Sequence, residues 1–222
     1  MKVCKHCNNI YENSRYEQYC SYDCQRFQRE IDHKVYIAKS ERIANLIYAI
    51  PQSNYTVDVD FKDLRDHFDR YAKSYGSFEY CPDFQRGHVW TEEQKIKYVE
   101  AYIRGCLGDT QKTIILNCPD FRDDVSEDCD LSGFCIVDGL QRVTAMLDFI
   151  DGKFKVFDFF TMSDFDRTRF SLVHQGFKIS VFSFQKKSDL LKYYLAINSG
   201  GVVHSDDEIN RVKGMLENLT NV

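Results

Sequence analysis

Apolar side chains recur every three or four residues along much of the chain, which is the periodicity of an amphipathic helix. Between Phe61 and Ala72, for example, Phe61, Leu64, Phe68 and Tyr71 fall on one helical face. Polar caps and Gly or Pro stops delimit such segments. Together these signals predict helices over residues 25–50, 61–72, 91–104, 141–150, 164–174 and 188–197, and a last helix capped by Ser205.

Short runs of β-branched and aromatic residues predict four strands, at residues 113–116, 133–137, 154–157 and 177–184. An acidic loop at 119–132 separates the first two of them. Because helices outnumber strands and the two alternate irregularly, the expected fold class is α+β, with a small mixed sheet flanked by helices.

The chain has 222 residues, enough for one sizeable domain and a small appendage. Its net charge of −5 excludes a surface that is cationic throughout, so any contact with DNA must be local. Residues 1–50 carry eight Lys and Arg against six Asp and Glu, which makes the amino-terminal end the better candidate for contact with phosphate. No apolar run approaches the ~18–20 residues that cross a bilayer and no signal peptide is evident, so we expect a cytoplasmic protein with no membrane association.

Four cysteines near the amino terminus have the spacing of a metal site. Cys4-x2-Cys7 is followed by Cys20-x3-Cys24, which supplies four soft donors to one tetrahedral Zn²⁺. We therefore expect a zinc-ribbon-like finger at residues 1–30, a helical linker at 31–54 and the main domain at 55–222. The finger is either a purely structural zinc site or an element that contacts DNA or RNA. Five basic residues nearby permit the second reading: Lys2, Lys5, Arg15, Arg26 and Arg29.

A polar motif stands where the predicted strand at 133–137 turns into the helix at 141–150. Asp138 ends the strand, and Gly139 permits an unusual backbone angle before the helix begins. The free N–H groups and the positive end of the helix dipole attract anions there. Arg142 adds a planar fork suited to phosphate, Gln141 adds an amide, and Asp138 is suited to a divalent cation, a ribose hydroxyl or an attacking water.

Two further polar motifs flank this one in the sequence. Gln85 and Arg86, within residues 82–90, form a second pair of amide and guanidinium groups. Asn198 and Gly201 follow a predicted helix, where glycine lets the backbone approach a ligand closely. Each motif taken alone is also ordinary turn or helix-stop chemistry, whereas the three together suit the phosphates of a nucleotide.

The order of the three motifs resembles the amino-terminal domain of GmrSD-type modification-dependent restriction endonucleases, within the ParB/sulfiredoxin-like superfamily. The resemblance runs from about Tyr55 to the carboxyl end and omits the cysteine segment. It implies binding and hydrolysis of a nucleoside triphosphate with Mg²⁺, coupled to recognition or cleavage of modified DNA. It assigns catalysis to Asp138, Gln141 and Arg142, and nucleotide binding to Gln85, Arg86, Gly139, Asn198 and Gly201.

Two departures from the family pattern qualify this expectation. Leu140 stands where the family usually has a glutamine, so that amide is not available to position water. The six histidines are scattered and form no counterpart of the family's His-Asn-His nuclease half, so a nuclease would lie on a separate subunit, or the phosphate-binding site itself would cut the DNA. Two alternatives therefore stand beside the NTP hydrolase: a non-catalytic DNA- or nucleotide-sensing adaptor, and a ParB-like phosphotransferase.

Overall fold

A computed structural model describes residues 1–47, 50–121, 124–165, 176–198 and 206–220. Contacts divide the chain into two compact units, Met1–Pro51 and Gln52–Val222. The second unit confirms the expected α+β fold class, with a small mixed sheet flanked by helices. Within the described residues, no helix has both the length and the apolar character that crossing a bilayer requires.

The first unit consists of a two-stranded ribbon and one long helix. Strands β1 (Lys2–Val3) and β2 (Ile10–Tyr11) pair antiparallel. Helix α1 (Tyr22–Leu46) begins three residues before the predicted start at Gln25. The Ser21 hydroxyl accepts a hydrogen bond of 3.2 Å from the backbone N–H of Cys24 and so caps this helix.

The second unit is built on a five-stranded sheet in the order β3-β7-β5-β6-β4. The neighbouring pairs β3–β7 and β5–β6 are antiparallel, whereas β5–β7 and β4–β6 are parallel. The strands are β3 (Tyr55–Asp60), β4 (Phe78–Glu79), β5 (Thr113–Asn117), β6 (Phe134–Asp138) and β7 (Gly176–Phe182). The helices are α2 (Leu64–Tyr75), α3 (Glu92–Ile103), α4 (Asp109–Lys112), α5 (Leu140–Ile150), α6 (Met162–Phe165), α7 (Lys187–Asn198) and α8 (Asp206–Thr220).

Apolar residues cover both faces of the sheet. Along β6, Phe134 and Ile136 join a large core with α2, α3 and α5, while Val137 joins a smaller core with α7 and α8. Side chains on a strand alternate between its faces, so a central strand buried on both sides is apolar at nearly every position. Asp138, the last residue of β6, is the point where this apolar run gives way to polar chemistry.

Some predicted elements differ from the structure. The strand predicted at 154–157 is wrong: Val156 and Phe160 form an isolated bridge around a tight turn. Phe157 and Asp158 have φ angles of 51° and 65°, which an extended strand cannot accommodate. Strands β3 and β4 were not anticipated. Of the predicted 164–174 helix, α6 is described and the remainder lies outside the described residues, as does Ser205.

Candidate functional site

A cavity of about 540 Å³ lies where β6 ends and α5 begins. Seven of the eight residues predicted for the nucleotide site line it: Gln85, Arg86, Asp138, Gly139, Gln141, Arg142 and Asn198. The eighth, Gly201, lies outside the described residues. Three segments far apart in the sequence therefore meet at one cavity. The side chains differ in how many of their hydrogen-bonding groups remain available for a ligand.

Gly139 makes the sharp turn from β6 into α5. Its φ of +105° lies in the region that favours glycine, and its carbonyl accepts the first hydrogen bond of α5, 2.9 Å from the N–H of Val143. A Cβ at this position would lie 3.4 Å from the Cα of Ile114. Gly139 has no side chain to cap α5, so the positive end of the helix dipole faces the cavity beside the Asp138 carboxylate.

Arg142 is held by protein groups on most of its guanidinium. Its Nη1 donates to the carbonyls of Thr110 and Thr113, at 2.6 and 2.7 Å, and its Nη2 donates to the carboxylate of Asp138. The side chain is only 15% exposed. Three of five N–H groups are thus committed to joining α5 to α4, to the start of β5 and to the end of β6. In this structure Arg142 positions the cavity wall rather than presenting an open fork to phosphate.

Gln141 is likewise held by protein groups, in the loop at residues 87–90. Its Oε1 accepts hydrogen bonds from the backbone N–H groups of Val89 and Trp90, at 3.1 and 3.2 Å. Its Nε2 donates to the carbonyl of Gly87 at 3.0 Å. The amide is therefore engaged at both ends. Gln85 likewise donates from Nε2 to the carbonyl of Ile136 at 2.6 Å and ties its own segment to β6.

Arg86 is the guanidinium with free donors. Its side chain is 39% exposed, and its Nε lies 3.5 Å from Oε2 of Glu208. Within the described part of the chain neither Nη group has a hydrogen-bond partner. An arginine that lines a cavity with unengaged Nη groups is suited to a bidentate contact with phosphate.

Asp138 lines the cavity, and one of its two carboxylate oxygens accepts a hydrogen bond from the protein. Oδ2 accepts from Arg142, while Oδ1 accepts no hydrogen bond from the described residues. Burial raises the pKa of Tyr193 to about 12, and the negative charge of Asp138 adds a smaller contribution in the same direction. The phenol of Tyr193 therefore stays protonated, and the carboxylate charge at this end of β6 is balanced mainly by Arg142.

Aromatic rings and one amide complete the cavity. Trp90 is partly buried against the large core and packs against Tyr98, with ring centroids 5.2 Å apart. Asn198 donates from Nδ2 to the carbonyl of Tyr194 at 2.7 Å. Leu140 is 3% exposed and belongs to the large core. Position 140 therefore contributes no polar group to the cavity.

Sequence reasoning missed two residues beside the cavity, Glu208 and Arg211 on α8. Glu208 is the one carboxylate among the described residues that is buried, and it accepts a hydrogen bond of 2.9 Å from the Tyr194 hydroxyl. Arg211 follows three residues later and donates to two backbone carbonyls of the segment that carries Arg86. Their spacing on one helical face was the available signal, but both resemble ordinary surface charges of an amphipathic helix.

The four amino-terminal cysteines converge as predicted. Their sulfur atoms all lie within 4.8 Å of one another, and Cys20 Sγ is 3.6 Å from Cys7 Sγ and 3.5 Å from Cys24 Sγ. Tetrahedral Zn²⁺ with bonds of about 2.3 Å places its sulfurs about 3.8 Å apart, so the set fits zinc. Burial raises the pKa of the Cys4 thiol, but backbone hydrogen bonds from Cys7, Cys20 and His6 outweigh it and lower the pKa to about 6.

The fold and the cavity define an α+β domain with a cavity at a strand-to-helix turn. The family model described as GmrSD restriction endonuclease, N-terminal domain, matches residues 61–213, which is well over half of the chain. The chain belongs to this family, and the membership indicates a restriction-nuclease-related role and an interaction with DNA. No curated protein and no solved structure matches it.

Proposed function

We propose that the cavity binds the phosphates of a nucleoside triphosphate with Mg²⁺, and that the domain hydrolyses this nucleotide while it acts on DNA. The observation that carries the proposal is the pair formed by the free Nη groups of Arg86 and the uncapped start of α5 at one cavity. Backbone N–H groups at a helix start and an arginine fork are the usual protein ligands of phosphate.

The remaining predicted residues take different roles under this proposal. Asp138 holds Mg²⁺ or orients the attacking water through Oδ1. Arg142 and Gln141 position Asp138 and the loop at 87–90 through the contacts described above. Gly139 and Asn198 shape the wall. The resemblance placed Gln141 and Arg142 among the catalytic residues, whereas their engaged donors favour positioning roles.

The binding part of the proposal is tested by titrating each nucleoside triphosphate with Mg²⁺ into the full chain in a calorimeter. We expect Arg86→Ala to lower the affinity at least tenfold, because it removes the free fork. Arg65→Ala is the matched control, since Arg65 is a half-exposed arginine paired with Asp151 at 2.7 Å and lies outside the cavity. Equal affinity of the Arg86→Ala variant and the unmodified chain would refute the role of Arg86.

The hydrolytic part is tested by phosphate release with and without modified DNA. Asp138→Asn keeps an oxygen for Arg142 but removes the charge, so we expect phosphate release to fall by about 10²-fold or more while nucleotide binding persists. Asp189→Asn is the control, because Asp189 is a comparably exposed aspartate paired with Lys192 at 2.9 Å, away from the cavity.

A non-catalytic sensor is the second candidate, and the burial of Leu140 favours it. It predicts nucleotide binding with no phosphate release under any of these conditions. Labelled phosphate on an acceptor molecule rather than in water would instead identify a phosphotransferase. In either case the assignment of Arg86 to phosphate binding is retained and the assignment of Asp138 to hydrolysis is withdrawn.

We also infer that the four cysteines hold a structural Zn²⁺ and that the finger at residues 1–30, followed by the linker at 31–54, helps the domain at 55–222 to dock on DNA. The nuclease would be a separate subunit. The cysteines are free thiols, which fits a reducing compartment, and a cytoplasmic location is part of the proposal.

A further inference from the structure

The segment that carries Arg86 is held from one side by α8. Arg211 donates from Nη1 to the carbonyl of Asp83 and from Nη2 to the carbonyl of Phe84, both at 2.7 Å. A planar fork on two successive carbonyls fixes the direction of the backbone just before Arg86. The ring of Phe84 also packs against Tyr194 of α7, with centroids 5.2 Å apart.

Glu208 acts on the Arg86 side chain from the preceding turn of α8. It is 6% exposed, and its two oxygens have different contacts: Oε1 accepts from the Tyr194 hydroxyl at 2.9 Å, and Oε2 lies 3.5 Å from Arg86 Nε. The buried carboxylate thus has a fixed place, and the contact recorded between it and the guanidinium is at Nε. This leaves both Nη groups available at the cavity.

We propose that Glu208 is a positioning residue that holds Arg86 by its Nε edge, with the terminal fork presented to a phosphate group in the cavity. The proposal rests on the phosphate-binding function proposed above. A half-exposed arginine otherwise loses rotamer freedom when it binds, and restraint before binding removes that cost. Lysine has no counterpart of the Nε edge, so the benefit of the restraint belongs to arginine alone.

The difference between arginine and lysine supplies the test. Binding of inorganic tripolyphosphate is measured by calorimetry for four full-length chains: unmodified, Arg86→Lys, Glu208→Gln, and the double variant. Removing the charge of Glu208 also changes the field at the cavity, but it does so for arginine and lysine alike. In each background, the affinity of the chain with arginine at position 86 is divided by that of the chain with lysine. A change in this ratio between the two backgrounds reports the orienting effect of Glu208, because its effect through charge cancels.

We expect Arg86→Lys to weaken binding at least tenfold when Glu208 is present and less than threefold in the Glu208→Gln background. Equal ratios in the two backgrounds would overturn the inference while leaving the phosphate site intact. Failure of the unmodified chain to bind tripolyphosphate would overturn the proposed function and, with it, this inference. Glu217→Gln, at an exposed position of the same helix, should leave the ratio unchanged.

A second variant covers the case in which Glu208→Gln does not fold, which thermal denaturation detects. Tyr194→Phe removes the hydroxyl that fixes Oε1 of Glu208 and preserves the buried ring. It should lower the arginine-to-lysine ratio below that of the unmodified chain. An unchanged ratio in a folded Tyr194→Phe chain would contradict the restraint of Arg86 through Glu208.

Discussion

Gly139 has a backbone conformation that only glycine adopts without strain. Its φ of +105° strains any residue with a Cβ, although the space itself would accept one, since that Cβ would lie at an ordinary contact distance of 3.4 Å from the Cα of Ile114 in β5. We predict that Gly139→Ala lowers the free energy of unfolding by about 2–3 kcal/mol, as measured by urea denaturation. Gly152→Ala is the control, because its φ of +70° is closer to the left-handed helical region, which residues with a Cβ can adopt. It should cost about 1 kcal/mol, and an equal cost at the two sites would contradict the greater backbone strain at Gly139.

Asp148 on α5 forms ion pairs with two lysines. Its carboxylate lies 2.7 Å from Lys95 Nζ and 2.6 Å from Lys153 Nζ. Burial raises the pKa of this carboxyl, but the hydrogen bonds from Lys153 and Lys95 outweigh it and hold the pKa below its usual value. The group therefore contributes stability above its unfolded pKa of about 3.9, and this stability is lost as the pH falls through the lower, folded pKa.

We predict that Asp148→Asn lowers the free energy of unfolding by about 1–3 kcal/mol at pH 7 and that the difference narrows towards pH 3. Urea denaturation across this pH range measures both quantities. Asp189→Asn, which breaks an exposed pair with Lys192, should cost less than about 0.5 kcal/mol. If the loss of unfolding free energy in Asp148→Asn stayed constant with pH, the ionised carboxylate would not be the source of the stability.

The sequence located the polar residues of the site better than it assigned their tasks. The strand-to-helix turn and the clustering of polar motifs are local signals, and they predicted that Arg86 and Arg142 would reach the same cavity. Which guanidinium is free depends on partners that no local pattern shows. Arg142 is engaged because the carbonyls of Thr110 and Thr113 lie beside it, and these are backbone groups about 30 residues away. The catalytic and binding roles themselves stay predictions.

Two glutamines show how single side chains order whole loops. Gln141 on α5 holds the loop at 87–90, and Gln185 in the same way accepts from the N–H of Ser126 and donates to the carbonyl of Asp124, both at 2.9 Å. We predict that Gln141→Ala raises the amide exchange rates of Val89 and Trp90 by about tenfold or more. Each lost hydrogen bond costs about 1 kcal/mol and Gln141 makes three of them to this loop, whereas about 1.4 kcal/mol already corresponds to a factor of ten.

Gln185→Ala is the reciprocal control for this exchange measurement. It should raise exchange at Ser126 and leave Val89 and Trp90 unchanged, whereas Gln141→Ala should do the opposite. Equal effects of the two variants at both loops would indicate general loosening of the fold and contradict the local role of Gln141.

At the level of elements, helices were easier to predict than strands. The Thr91 capping box and its apolar stripe are contained in one segment, and α3 begins and ends at the expected residues to within one position. Strand β3 depends on pairing with β7, which is more than a hundred residues away. Its alternation of inward Tyr55, Val57 and Val59 with exposed polar residues was the signal available. The segment 154–157 is equally apolar, but it lacks a strand partner and turns instead.

At the scale of the whole molecule, the metal site is expected to determine whether the finger in the first unit folds. A segment as small as the finger buries little core, so Zn²⁺ supplies most of its folding free energy, about 10–16 kcal/mol of apparent binding in comparable peptides. We predict one zinc per chain by elemental analysis. Chelation should abolish amide protection in residues 1–24, while the fluorescence of Trp90, in the second unit, serves as an internal reference.

The matched variants for zinc are Cys20→Ser and Cys81→Ser. Cys20 lies within 3.6 Å of two other cluster sulfurs, whereas Cys81 is an exposed thiol outside the cluster. Only Cys20→Ser should lower the zinc content. Full zinc content in that variant would contradict the four-sulfur site.

The position of β7 between β3 and β5 has a consequence for biosynthesis. The ribosome completes β3 roughly 120 residues before it completes β7, a delay of about 6–24 s at ordinary rates of translation. β5 is completed about halfway through that interval, and from then on the nascent chain has two strand edges whose common partner does not yet exist. A chaperone that shields β3 and β5 until β7 emerges would therefore raise the yield of folded protein, and slow codons placed before β7 would lower it.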